Sequence, residues 1–466
     1  MNIKRTLLAM LVGITSLGLA TGCKKDEGRV VKFEFLDAGL GRDVYKALKD
    51  AYEAEHPGVT IKLIPNYQIN STVQNNLSSG KNVSDIYSIR GLNVIEQFYI
   101  KGWVRDLTDI YQSEIADGKT LLDLADESVK NYCEYNGHYI CVPEYVNVNG
   151  FVYNKKLFDQ YGWTVPTTTE EMAALCQRIL NDTNKSVKPF VFCGEAQGYV
   201  YYLLNGINTS YEGLANMEKF YEYESPEVFK PQNRVGKQYA LQTFKEWYTE
   251  SNGYVIEKAL GMKAMDAQRM LLNNEAAMML NGSWFETEMS KFVDPSKHEL
   301  SMFRIPEYSV GGVVQHASGY TSEDEKGIID SEYTANYIIP TAAQHMDDAI
   351  DFLKFLHRPD ICELYTKYCN CVRPFKYNVD PTSATYANMS TFGKAVLNMA
   401  KNNTLYVPAS KNPLAIAGKV AAWPLPEDTY HVNDMLEAEV GVIQALQKEY
   451  DFVNGSWERW KEQISN

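Results

Sequence analysis

The sequence predicts an α/β protein built as two lobes with a hinge between them. Three observations carry this expectation. A strand–helix–strand unit opens the region after residue 29, and a proline breaks a β-rich run near the middle of the chain. In addition, 466 residues, 45% of them hydrophobic, exceed what one core usually holds.

Lys4 and Arg5 precede an apolar stretch over residues 7–20 that ends at Thr21-Gly22-Cys23. This is the pattern of a secretory signal over residues 1–22, too short to span a bilayer. The small residues before Cys23 resemble a bacterial lipobox. Cleavage there would leave Cys23 carrying a diacylglycerol, with residues 23–29 as a tether. No later segment has eighteen uninterrupted apolar residues, so the folded part is expected to be soluble and held to the membrane by its lipid alone. Losing Lys4 and Arg5 with the signal takes the formal charge from −14 to −16. An acidic surface argues against nucleic acid and against a polybasic membrane contact, and leaves a neutral ligand open.

In residues 30–36, Val31, Phe33 and Phe35 alternate on one face. The loop Asp37-Ala38-Gly39-Leu40-Gly41 follows, then a helix from Asp43 with Val44, Leu48 and Tyr52 at four-residue spacing. It stops at His56-Pro57-Gly58, and residues 59–64 form a second strand, which a right-handed crossover makes parallel to the first. A third strand over 85–88 runs into Arg90-Gly91. Ligands of open α/β sheets sit at the carboxyl ends of strands, which nominates the loops after Leu36 and Ser88.

The pivotal stretch is 138–158, HYICVPEYVNVNGFVYNKKLF. Asn136-Gly137 is a turn signal, and residues 139–142 read as one arm of a hairpin. Pro143 is expected to interrupt any ladder, because it has no N–H to give. Val146, Val148, Phe151 and Tyr153 then resume a β pattern. Pro143, Glu144 and Tyr145 therefore mark a break between two sheets, where a hinge belongs. Thr168 and Glu171 form a capping box for a helix through Met172, Leu175 and Ile179. Residues 187–193 read as a strand ending at Gly194-Glu195, and residues 238–248 and 255–272 as helices. Residues 274–284 contain a small, apolar strand that leads into Gly282-Ser283-Trp284. Met346, Ala349, Ile350, Leu353 and Leu356 form a helical core stripe, and residues 435–446 and 457–464 read as two separate late helices.

The crossover at 139–158, the strand at 274–284 and the block at 333–356 resemble those of bacterial extracellular solute-binding proteins, in particular the group whose members mostly bind oligosaccharides. The resemblance covers most of the mature chain, while residues 201–235 and 308–331 match no recognisable block. It implies the two-lobed, type II periplasmic-binding-protein-like fold, with a ligand cleft between the lobes and a chain that crosses from one to the other. The N-terminal lobe would comprise 30–145 and about 332–375, and the C-terminal lobe 146–331 and about 376–466. It further implies the receptor of an ABC importer that captures a carbohydrate outside the cytoplasm, docks on the permease subunits of the membrane, and works as a monomer.

Saccharide sites combine aromatic platforms with planar hydrogen-bonding side chains. Trp284 is the leading platform candidate, followed by Tyr145, Tyr199 and Trp423, with Tyr320 in an unmatched loop. For hydrogen bonding the candidates are Asp37, Arg90, Glu144, Glu195 and Asn281. Arg90 is the one cation among them, which favours a neutral ligand over an anionic one. The same fold holding a peptide or another solute is the alternative, and a carbohydrate-active enzyme or a structural surface protein stands behind it.

The seven histidines are scattered, with no metal-binding spacing, and there is no H-E-x-x-H, G-x-S-x-G or P-loop. Gly39-Leu40-Gly41 lacks the third glycine of a dinucleotide fingerprint and reads as a flexible ligand loop. No cofactor, metal or catalytic residue is expected. Apart from Cys23 there are seven cysteines, an odd number, and a two-residue turn at Asn136-Gly137 sets Cys133 opposite Ile140 rather than Cys141. Most of them are expected to be small buried hydrophobes.

Overall fold

The computed structural model describes residues 29–465 except 197, 295, 323, 422–433 and 438–439. Cys23 and residues 1–22, expected from the sequence to be a secretory signal, lie outside these residues, as does Trp423.

The first sheet has five strands in the order Val59–Asn66, Arg29–Leu36, Ile86–Ile89, Asn336–Ile338 and Val142–Pro143. The first three are parallel, with Arg29 opposite Val59 and Phe33 opposite Ile86, and the last two join antiparallel. The alternation at the start of the chain is realised. Val31 and Phe33 are fully buried and Phe35 nearly so, against Val44, Leu48 and Tyr52 of the helix Asp43–Glu55. The second sheet has the order Lys188–Val191, Ala276–Gly282, Asn149–Asn154 and Leu300–Phe303, with its first pair parallel and the others antiparallel. A first core unites residues 31–146 with 333–375. Two further cores flank the second sheet, and a fourth packs the C-terminal helix Val442–Ser465 onto residues 217–229.

Among the described residues the chain passes three times between the first core and the cores that flank the second sheet, and these crossings run side by side. The amide of Glu144 donates to Ala335 O, that of Val146 to Val372 O, and that of Asn147 to Glu332 O. Asn147 also donates through Nδ2 to Glu332 Oε1 at 2.8 Å. The first crossing is thus tied to both of the others.

Four local readings are corrected. Pro143 does not end the ladder but pairs with Asn336, because Val142–Pro143 is the edge strand, where a missing N–H removes no sheet bond. The hairpin arm is shorter than 139–142: Glu134–Tyr135 pairs only with His138–Tyr139. Residues 255–272 are not one helix. Phe190 donates to Tyr254 O and accepts from Ile256 N, which holds that segment extended, and the helix covers only Ala264–Leu272. Finally, 442–465 is one continuous helix, in which Leu446, Val453, Trp457 and Trp460 share the buried face. The Thr168–Glu171 capping box forms as expected, with the amide of Glu171 donating to Thr168 Oγ1 at 3.2 Å. Cys133, Cys141, Cys176, Cys193, Cys362, Cys369 and Cys371 are buried free thiols, and Ile140 N donates to Cys133 O.

Candidate functional site

A cavity of about 690 Å³ lies between the lobes, walled by residues of both sheets' loops and of the crossings. From the first lobe it receives the loop after Arg29–Leu36, through Ala38, Gly39 and Leu40, and the turn after Ile86–Ile89, through Arg90 and Gly91. These are the two strand ends nominated by the sheet topology.

Trp284 enters from the second lobe, directly after Ala276–Gly282. Two glycines make room for it. A Cβ on Gly282 would lie 2.0 Å from the indole Cζ3, and one on Gly39, across the cleft, 2.8 Å from Cδ1. Tyr199 and Tyr202, one turn apart on the helix Gly198–Glu212, approach the indole with centroid separations of 6.3 and 6.0 Å. Tyr145 and Asn147 of the first crossing line the same cavity, as do Tyr45, Tyr132 and Tyr333. The wall therefore offers several aromatic faces, together with hydroxyl and amide groups that can donate or accept. That combination suits a molecule with apolar faces and a hydroxylated rim. The guanidinium of Arg90 reaches the cavity and forms no hydrogen bond or ion pair among the described residues.

Of the residues nominated from sequence, Trp284, Tyr145, Tyr199 and Arg90 meet at this cavity, and five stand elsewhere. Glu144 is fully buried behind the hinge, where it accepts from Ser88 Oγ and from Tyr365 OH; burial holds its carboxyl above the usual range despite these donors and Arg373. Asn281 is fully buried within its strand, and its Oδ1 accepts from Gly282 N. Asp37 sits between two cavity residues but turns its carboxylate to Arg42, at 3.0 Å from Nε. Glu195 is exposed outside the wall, while its neighbour Ala196 lines it. Tyr320 stacks on His316 at 3.6 Å and donates to Asp324 O, away from the cavity.

The sequence reading missed Tyr202, Asn147, Glu96 and residues 407–410. The first two carried a signal: Tyr202 lies one helical turn from Tyr199, and Asn147 is inside the hinge stretch. Residues 407–410 had none, since nothing in their composition brings them back to a cleft whose other walls, Ala415 and Ile416 aside, lie between Leu36 and Ala335.

Among the described residues no helix is long and apolar enough to cross a membrane, and no group of three or more His, Cys, Asp or Glu side chains is placed to hold a metal.

Residues 38–361 match the family model described as bacterial extracellular solute-binding protein. The chain is 26% identical over 329 residues to the multiple sugar-binding protein of Streptococcus mutans, covering 68% of this chain and 73% of that one. It is 24% identical over 284 residues to the diacetylchitobiose binding protein NgcE of Streptomyces coelicolor, spanning 56% of that relative's length and 59% of its own. Two solved structures share its fold. One, from work on xylan utilization by Caldanaerobius polysaccharolyticus, has a TM-score of 0.68 at 16% identity, covering 91% of this chain and 100% of that one. The other, RafE of Streptococcus pneumoniae in complex with raffinose, has a TM-score of 0.64 at 17% identity, covering 91% and 99%. With its family model spanning most of the folded region and its two-lobed architecture shared with these structures, the chain belongs to the bacterial extracellular solute-binding proteins.

Proposed function

We propose that the protein is the receptor of an ABC importer and that its solute is a carbohydrate, a mono- or oligosaccharide captured in the interlobe cavity and handed to a membrane permease. The observation that carries this is the cavity wall itself. Trp284 and Tyr199 from one lobe face the Gly39 loop and Arg90 from the other, with Tyr145 and Asn147 at the hinge between. A ligand touching both sets of groups favours the closed arrangement, because only that arrangement makes all the contacts. The sugar-binding relatives support the choice of solute. The protein captures and releases its ligand without turning it over, acts as a monomer, and is held outside the cytoplasm by a lipid on Cys23.

A thermal-shift screen of residues 29–466 against mono- and oligosaccharides, with amino acids and short peptides as controls, tests the reading. A ligand at about a hundred times its Kd adds about 2.7 kcal/mol, which raises Tm measurably. A shift confined to one saccharide series supports the proposal. A shift with peptides alone overturns the carbohydrate reading, and new reducing ends during incubation overturn the reading as a pure receptor.

A further inference from the structure

One wall of the cavity is built by residues that neither lobe's sheet supplies. Residues 407–410, 415 and 416 line it, following the strand Thr404–Tyr406, which pairs with Ile328–Asp330. The segment is fastened to the second lobe by Ser410 Oγ donating to Tyr221 O and by Asn412 Nδ2 donating to Glu222 O and Tyr223 O. It reaches the first lobe as well: Gln97 Nε2 donates to Ile416 O, and Lys411 Nζ donates to Tyr132 O.

Where this segment meets the helix Leu92–Ile100 stands Glu96, which lines the cavity at 1% exposure. Its Oε1 accepts no hydrogen bond, and Lys411 Nζ, the nearest cation, is 3.6 Å away. A carboxylate cut off from water with an acceptor unfilled is costly, and a donor supplied by a ligand removes that penalty. Burial raises its carboxyl to about 7 against the pull of Lys411. Two further carboxylates of the wall are already engaged: Glu288 accepts from Gln268 Nε2, and Glu332 from Asn147 Nδ2.

Resting on the receptor reading, we infer that Glu96, backed by Lys411, is a specificity-determining residue: it accepts a hydrogen bond from a hydroxyl or amino group of the bound saccharide and turns away saccharides that carry a carboxylate there. A hydroxyl can donate to Glu96, whereas a ligand carboxylate set against it places two like charges together in a water-poor site.

Titration calorimetry at pH 8, where Glu96 is mostly ionised, tests this with raffinose, xylotriose, N,N′-diacetylchitobiose and, as the acidic member, digalacturonate. The wild type and Glu96→Gln are compared, with Glu96→Asp as a second variant that keeps the charge but withdraws it by one methylene. The expected result is a neutral saccharide that binds the wild type, binds Glu96→Gln about tenfold more weakly and Glu96→Asp in between, with digalacturonate bound by the wild type far more weakly than that saccharide. Equal affinity in wild type and Glu96→Gln, or equal binding of neutral and acidic saccharides by the wild type, overturns the inference and leaves the receptor reading standing. If no saccharide binds the wild type, the receptor reading for carbohydrate fails and this inference fails with it.

Discussion

Gly39 and Trp284 belong to opposite lobes, yet a single methyl group on Gly39 would lie 2.8 Å from the indole Cδ1. The lobes approach this closely because position 39 has no side chain. Gly39→Val is therefore expected to hold the cleft ajar. In small-angle scattering with saturating ligand the variant should keep a larger radius of gyration than the wild type, and its affinity should fall by about tenfold or more, as expected when binding no longer secures both sets of contacts. Equal closure in the two proteins would mean that the indole moves aside freely.

Trp284→Ala removes the largest aromatic face of the cavity wall. A stacked aromatic contributes about 1 to 3 kcal/mol, so calorimetry should show affinity lowered by roughly tenfold or more. Unchanged affinity would take Trp284 out of the ligand's surroundings and reduce its role to packing against Gly39.

Asp330 gives the folded protein a pH-dependent term. Burial raises its carboxyl to about 7, against hydrogen bonds from Asn205 Nδ2 and Thr209 Oγ1, and Glu332 adds repulsion. A carboxyl raised in the folded state binds its proton more tightly there than in the unfolded chain. Its contribution to stability is complete below about pH 4 and is lost as pH rises through about 7. Melting curves from pH 5 to pH 8 should therefore show Asp330→Asn gaining on the wild type towards pH 8. A constant difference across that range would rule out this titration.

Thr168→Ala removes the side-chain half of the capping box at the start of Thr169–Asp182. The expected loss is about 1 kcal/mol, read as a lower urea midpoint with an unchanged slope. Saccharide affinity should not move, because this helix end does not line the cavity.

Cys23→Ser removes the sulfur that lipidation requires. Cell fractionation should find the variant released from the membrane, and continued membrane association would argue against a lipid anchor at this residue.

The parts of the molecule governed by local periodicity were readable from the chain. The Val31–Phe33–Phe35 alternation, the four-residue spacing of Val44, Leu48 and Tyr52, and the Thr168–Glu171 pair each specify one face or one cap, and each formed. The candidate cavity was readable where it sits at strand ends, as at Trp284 and Arg90, and Tyr199 joins them from the first turn of the helix Gly198–Glu212. Glu144 and Asn281 occupy equally suggestive positions and are instead consumed by the interior. Glu144 found donors in Ser88 and Tyr365, one of them on a helix more than 200 residues away, and Asn281 bonds its own neighbour. No spacing rule conveys such partnerships. Glu96 is the converse case: on a short apolar helix it resembles any solvent-facing acid until the 407–416 segment covers it.

The three hydrogen-bonded crossings also bear on how much disorder the receptor loses when it closes. A single tether would let the lobes swing and twist widely, and a ligand would have to overcome that freedom. Here residues 144–147 are bonded on one side to 332–335 and on the other to 372, so the crossings form a narrow ribbon that resists twisting, and the 407–416 segment adds hydrogen bonds to both lobes. Fewer open arrangements mean less entropy surrendered on closing. A small solute with few strong contacts can then supply enough interaction to hold the lobes together.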